Sequence, residues 1–200
     1  MDLITVNRQN IQSEVHEVKR LDHTDLSKSD LVKQYHDVFE GEGTFIGDKL
    51  HLEVDTTVCP VKIPVRKQPL ALREKVKSEL DRLVEKDIIA PVEVPTDWIS
   101  SFVVVTKPSG KVRLCIDPKP LNKALKRNHY TMPNLDDLLP ELSKAKVFSV
   151  ADAKNGFWHV ELDDASSYLT TFGTAWGRYR WKRMPFGISP APEEFQRRQH

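Results

Sequence analysis

Two β-branched runs, Ser101 to Thr106 and Lys111 to Asp117, are separated by only four residues, Lys107-Pro-Ser-Gly110. Such runs favour extended backbone, and a proline second and a glycine fourth in a four-residue turn suit a type I turn. The stretch is therefore predicted to fold back on itself as a β-hairpin. Its tip and the strand leaving it carry Lys107, Lys111 and Arg113, and Lys119, Lys123, Lys126 and Arg127 follow, against one acid, Asp117. A hairpin ending in cations can close over a triphosphate, and a merely solvated basic hairpin has the same composition.

The remaining elements are read around it. From Ala71 to Asp87 the apolar positions Leu72, Val76, Leu80, Leu83 and Val84 recur at three and four, the pattern of an amphipathic helix. The following Ile88-Ile89-Ala90 is expected to break at Pro91. Upstream, Ser27-Lys-Ser-Asp30 caps a short helix with Leu31, Val32, Tyr35, Val38 and Phe39 on one face, stopped by Gly41-Glu-Gly43. Lys49 to Val54 and Val61 to Val65 alternate in strand fashion and are expected to pair as an outer hairpin. Val160 to Leu162 and Tyr168 to Phe172 read as further strands. Ser189 is expected to cap a last helix, with Pro190 and Pro192 in its first turn and Glu193 and Glu194 near its positive end.

A second constraint is chemical. Val147 to Ala151 read as a short buried strand that stops on Asp152, with Lys154, Asn155 and Gly156 following as a loop. A carboxylate at a rigid strand end can hold a hard divalent cation and leave room for substrate phosphates, or it can simply cap the next turn. Asp163-Asp164 reads as a solvent turn and is not taken as a second ligand. No apolar run approaches the ~20 residues that span a bilayer, and the first residues lack a signal-peptide pattern, so an intracellular location, cytoplasmic or nuclear, is expected. Cys59 and Cys115, outside any metal-ligand spacing, are expected as buried, reduced thiols. Residues 1–60 hold 6 Lys+Arg against 12 Asp+Glu, which leaves 24 against 17 for residues 61–200. That basic excess suits a chain that tracks a phosphate backbone.

Three ordered blocks carry a resemblance. Val103-Val-Val-Thr-Lys-Pro-Ser-Gly-Lys-Val-Arg-Leu-Cys-Ile-Asp-Pro-Lys-Pro-Leu-Asn122, the stretch through Asp152 to Trp158, and Arg178 to Arg198 with Met184-Pro-Phe-Gly187 together resemble the reverse transcriptase of gypsy-like long-terminal-repeat retrotransposons. The likeness implies an α+β fold with a central antiparallel palm sheet, helices on one side and a mostly β fingers layer. It divides the chain into a linker or remnant after an upstream protease (1–26), an N-terminal extension with fingers (27–146) and a partial palm (147–200). It puts Asp152 at the catalytic metal, and Lys107, Arg113, Ala153, Phe157, Phe186 and Gly187 at the incoming nucleotide, Phe157 lying under its sugar. Lys111, Lys119 and Lys123 are expected against nucleic acid. After Asp117, where an aromatic and a basic residue are common in the family, the chain has Pro118 and Lys119 and so lacks the aromatic, and it departs again at Leu169.

The implied reaction is attack of a primer 3′-hydroxyl on a deoxynucleoside triphosphate, directed by an RNA or DNA template, with two Mg2+ and no other small-molecule cofactor or membrane partner. Two dications about 4 Å apart repel by roughly 16 kcal/mol at an effective dielectric of 20, more than one carboxylate offsets. The family's Tyr-x-Asp-Asp hairpin does not occur in these 200 residues, so alone they are not expected to polymerise. Two readings stay open at this point: a part of a reverse transcriptase, or a non-catalytic nucleic-acid-binding or structural remnant of a degenerate element.

Overall fold

The computed structural model describes residues 4–5, 28–66, 68–106, 108, 110, 112–131, 136, 139, 140 and 151–199. In chain order the elements are β1 (Ile4–Thr5), α1 (Lys28–Gln34), α2 (His36–Phe39), α3 (Leu70–Glu85), β2 (Ile89–Val92), β3 (Ser101–Thr106), β4 (Val112–Asp117), α4 (Lys119–Ala124), β5 (Ala151–Asp152), a 3-10 turn at Gly156–His159, α5 (Asp164–Leu169), β6 (Phe172–Thr174), β7 (Gly177–Trp181) and α6 (Ala191–Gln199). The predicted hairpin forms, β3 against β4 in an antiparallel register from Ser101 opposite Asp117 to Thr106 opposite Val112. Gly110 takes φ 76° at its tip. The type I geometry itself falls partly on residues 107, 109 and 111, outside the described residues.

Helix α3 forms as its periodicity requires, burying Val76, Leu80 and Leu83 completely. Its end is fixed by backbone. Asp87, at φ 55°, donates to the Val84 carbonyl, and Ile88 donates to Leu83 at 2.9 Å. This left-handed stop usually takes glycine, and the contact it brings, buried Ile88 near buried Leu83, turns the chain directly into β2. That strand does not break at Pro91. It runs through the proline, which stands opposite Tyr179. In the sheet order β2-β7-β6 it is an edge strand, where a missing N–H costs no second ladder.

The outer hairpin does not form. Leu50 bridges Leu162 and Lys62 bridges Ile99, both in parallel sense, so each segment adds to a different distant partner. Tyr168 and Leu169 are helical rather than extended. The Asp163 carboxylate accepts from the Ser166 N–H at 2.7 Å and so caps α5, and the strand starts only at Phe172. The predicted first helix is split at Tyr35 into α1 and α2, and its apolar face is left open, Val32 being 39% and Tyr35 47% exposed. As expected, helices combine with antiparallel sheet; the described strands make three small ladders, two of them antiparallel and one, β5 with β1, parallel. Those two residues of β1 belong to the stretch read as a linker. Of the expected strand over 147–151, residues 147–150 lie outside the described residues.

One core joins these pieces. Trp98, Phe102, Leu114, Ile116, Leu121, Trp158, Val160, Phe172, Trp181 and Met184 pack with the inner faces of α3 and β2. Cys59 is exposed, against expectation, and Cys115 is half-buried. No helix of the described residues is long and apolar enough to cross a membrane.

Candidate nucleotide site

Strand β4 sends Val112, Leu114 and Ile116 into the core and leaves Arg113, Cys115 and Asp117 half-buried on its other face. From there Arg113 reaches the ring of Phe186, Cζ lying 5.1 Å from its centroid. Phe186 lies 5.0 Å from Phe157, which meets Phe195 edge-on at 5.6 Å. All three rings are half-buried. One cation and two of the aromatics singled out in the sequence are thus brought together. The guanidinium on a ring contributes about 0.5–1 kcal/mol at a partly exposed site.

Gly187 sits beside them at φ 110°, and a Cβ built on it would stand 2.3 Å from the Ile116 carbonyl oxygen. The close approach that requires glycine is therefore to the backbone of β4. Asn122, on α4, completes the corner: its Nδ2 donates to the Gly187 carbonyl and its Oδ1 accepts from the Ser189 N–H, both at 2.8 Å. Ser189 does not cap α6 through its hydroxyl, which is buried with no partner among the described residues. The helix begins at Ala191, and its first-turn carboxylates are buried and paired, Glu193 with Arg127 at 2.6 Å and Glu194 with Arg197 at 2.8 Å.

Asp152 ends β5 with its side chain exposed, and Ala153 behind it is half-buried. Asn155 turns the loop at φ 52° and leads into the 3-10 turn that carries Phe157. The loop is held from several sides. Glu42 accepts from Asn155 Nδ2 at 3.1 Å, His159 Nε2 donates to the Lys154 carbonyl at 3.0 Å, and Arg183 donates to the Trp158 carbonyl at 2.8 Å. Burial pushes the His159 imidazole below its usual value, against the pull of that carbonyl, so the ring stays neutral at pH 7. Burial also raises the Cys115 thiol, with Arg113 opposing.

A cavity of about 740 Å3 opens beside this loop, with Glu42, Lys86, Arg113, Lys154, Asn155 and Trp158 among its walls. Lys119 and Lys123 are exposed one turn apart on α4. Lys107 and Lys111 lie outside the described residues. No group of three His, Cys, Asp or Glu side chains gathers among the described residues. The exposed Asp152 carboxylate could serve as one ligand of a divalent ion, and no group of three such side chains forms around it among the described residues. Asn122, Glu42 and Arg183 escape a reading of the sequence as site residues. Asn122 stands in the quoted Leu-Asn pair, whereas Glu42, between two glycines, reads only as a helix stop.

The family model described as reverse transcriptase (RNA-dependent DNA polymerase) matches residues 105–198. The retrovirus-related Pol polyprotein from transposon 412 of Drosophila melanogaster is 31% identical over 98% of this chain, which spans 15% of that protein. The enzymatic polyprotein of cauliflower mosaic virus (strain Strasbourg) is 36% identical over 67% of the chain, which spans 20% of it. Among solved structures, the prototype foamy virus protease-reverse transcriptase aligns with a TM-score of 0.70 at 18% identity, over 84% of this chain and 23% of that one. The foamy viral enzyme in complex with an RNA/DNA hybrid aligns at 0.67.

Proposed function

Residues 105–198 are a reverse transcriptase domain with relatives among the Pol polyproteins of transposons, and from that premise we propose that this chain contributes the nucleotide-binding part of a template-directed deoxynucleotidyl transferase. The parent polyprotein is a gypsy-like retrotransposon product in this reading, which rests on the three ordered sequence blocks. The observation that carries the nucleotide assignment is the corner where Arg113, Phe186, Phe157 and the Asn122-held Gly187 meet.

In this assignment Arg113 leaves the Phe186 ring or shares it to meet triphosphate oxygens, and Lys107 is assigned to the same phosphates. Phe157 lies under the deoxyribose, where a rigid ring leaves no room for a 2′-hydroxyl, and Phe186 with Gly187 flanks the base. Ala153 and its neighbours line the phosphates. Asp152 is the first ligand of a divalent ion, Mg2+, which when bound neutralises charge on the transferring phosphoryl group. Lys111, Lys119 and Lys123 meet the phosphate backbone of an RNA or DNA template-primer. The foamy virus enzyme solved with an RNA/DNA hybrid supports that partner class.

Equilibrium titration of the chain with dATP and Mg2+ tests the reading. A hydrogen bond to a charged group contributes about 1.5–3 kcal/mol, so Arg113→Ala is expected to weaken dATP by roughly 10- to 100-fold. ATP is expected to bind more weakly than dATP, and Phe157→Ala to close that gap. Absence of dATP binding, or equal binding by Arg113→Ala, overturns the assignment. Primer extension by these 200 residues alone is expected to give no incorporation.

A further inference from the structure

The loop that follows Asp152 is fastened by a stretch of chain outside the matched residues 105–198. The Glu42 side chain is 10% exposed and spends both oxygens, one on Lys86 Nζ at 2.8 Å and one on Asn155 Nδ2 at 3.1 Å. Burial raises this carboxyl, and the bonds from Lys86 and Asn155 outweigh it, so the group stays below its usual value and is charged at neutral pH. The next residues bind the same loop. Arg183 Nη1 donates at once to the Gly43 carbonyl, to Thr44 Oγ1 and to the Trp158 carbonyl, and the Phe45 N–H donates to the His159 carbonyl at 2.8 Å.

A carboxylate that served only as an ion-pair partner for Lys86 has no need of Asn155. Here the second oxygen meets the one residue of the loop with a left-handed backbone, φ 52° and ψ 38°. That conformation is uncommon for a side chain other than glycine and persists where surroundings over-determine it. From Asn155 the constraint passes on through backbone: the Trp158 N–H donates to the Asn155 carbonyl at 2.7 Å, and Phe157 lies between them.

We propose that Glu42 is a positioning residue for the nucleotide site: it sets the backbone of Asn155 and so fixes Phe157 relative to Asp152 and Phe186. Residues 42–45 thereby form a strap belonging to the working site although they precede the matched domain by some 60 residues. The inference rests on the nucleotide reading above for its functional meaning, and on the hydrogen bonds alone for its structural one.

Amide hydrogen exchange and dATP titration on the whole chain test it together. Glu42→Ala is expected to speed exchange at Gly156 and Trp158 at least tenfold, to leave Val76 to Leu83 in α3 unchanged, and to weaken dATP about tenfold. Glu42→Gln, whose amide oxygen still accepts from Asn155, is expected to hold both within about threefold of the parent. Should Glu42→Ala fail to fold, Asn155→Gly, which tolerates the positive φ and removes the side chain that donates to Glu42, gives the same two readouts. Unchanged exchange at Gly156 and Trp158, an equal rise in α3, or unchanged dATP affinity in a chain that binds it overturns the proposal. If the parent chain binds no dATP, the nucleotide reading falls, and exchange at Gly156 and Trp158 still decides whether Glu42 holds the loop.

Discussion

Replacing Gly187 with alanine separates two costs that the structure makes separable. Gly187 and Gly177 have similar backbones, φ 110° and 120°, but a Cβ on Gly177 meets nothing within 4 Å, whereas one on Gly187 stands 2.3 Å from the Ile116 carbonyl oxygen. Backbone strain at such a φ costs about 1–3 kcal/mol for a residue with a Cβ, and Gly177→Ala is expected to show that cost alone. At Gly187 the turn must also retreat from β4 by roughly an ångström to reach ordinary contact. That retreat stretches the two Asn122 bonds, each contributing about 1 kcal/mol. The Gly187→Ala loss is therefore expected to exceed the Gly177→Ala loss by about 2 kcal/mol. At roughly 2–4 °C per kcal/mol for a domain of this size, the two melting temperatures differ by roughly 4–8 °C. Thermal unfolding followed by circular dichroism, with urea unfolding to check that the slope is unchanged, measures it. Equal losses in the two variants refute the claim that β4 backbone is what demands glycine at 187.

Asp163 carries a pH signature. Burial raises its carboxyl, but hydrogen bonds with Ser166 and His51 outweigh it and hold the group below its usual value, so its stabilisation is complete above the unfolded value near 4 and lost as pH falls through the folded one. Asp163→Ala is expected to cost about 1 kcal/mol at pH 7 and pH 5, with the gap to the parent shrinking at pH 3 in urea titrations; a gap that is constant across the three pH values removes the capping account. The two thiols differ in access: Cys59 is exposed, and Cys115 is half-buried with its thiol raised. An aromatic disulfide reagent at pH 8 is expected to label Cys59 first and Cys115 at least tenfold more slowly, and equal rates count against the placement of β4.

What the sequence displayed, it displayed through local pattern. The 101–117 hairpin and helix α3 each carry their own period and turn residues, and both form where expected. Elements whose shape depends on remote partners were misread. Leu50 and Lys62 alternate like the arms of one hairpin, yet each forms an isolated bridge to a residue elsewhere in the chain, Leu162 and Ile99. Pro91 looks like a stop until its strand proves to be an edge. Asp163 was read as part of a solvent turn, whereas its carboxylate caps a helix, and the strand read at Thr170 and Thr171 begins only after them. In the structure those threonines bond backward to the Ser167 and Tyr168 carbonyls and close the helix. At the site, Arg113, Phe157 and Phe186 were chosen from their motifs and do meet. Glu42 was not, since its partner Asn155 is 113 positions away and neither residue type announces the other.

The division of labour along β4 has a further consequence for change at the hairpin. Odd positions carry polar or reactive side chains outward and even ones seal the interior, so a slip of one residue against β3 sends the guanidinium inward and leucine out. Insertions at the tip are absorbed only where the ladder below stays in phase. The strand thus behaves as a ruler that allows the turn to vary in length while refusing any shift in what lies beneath it.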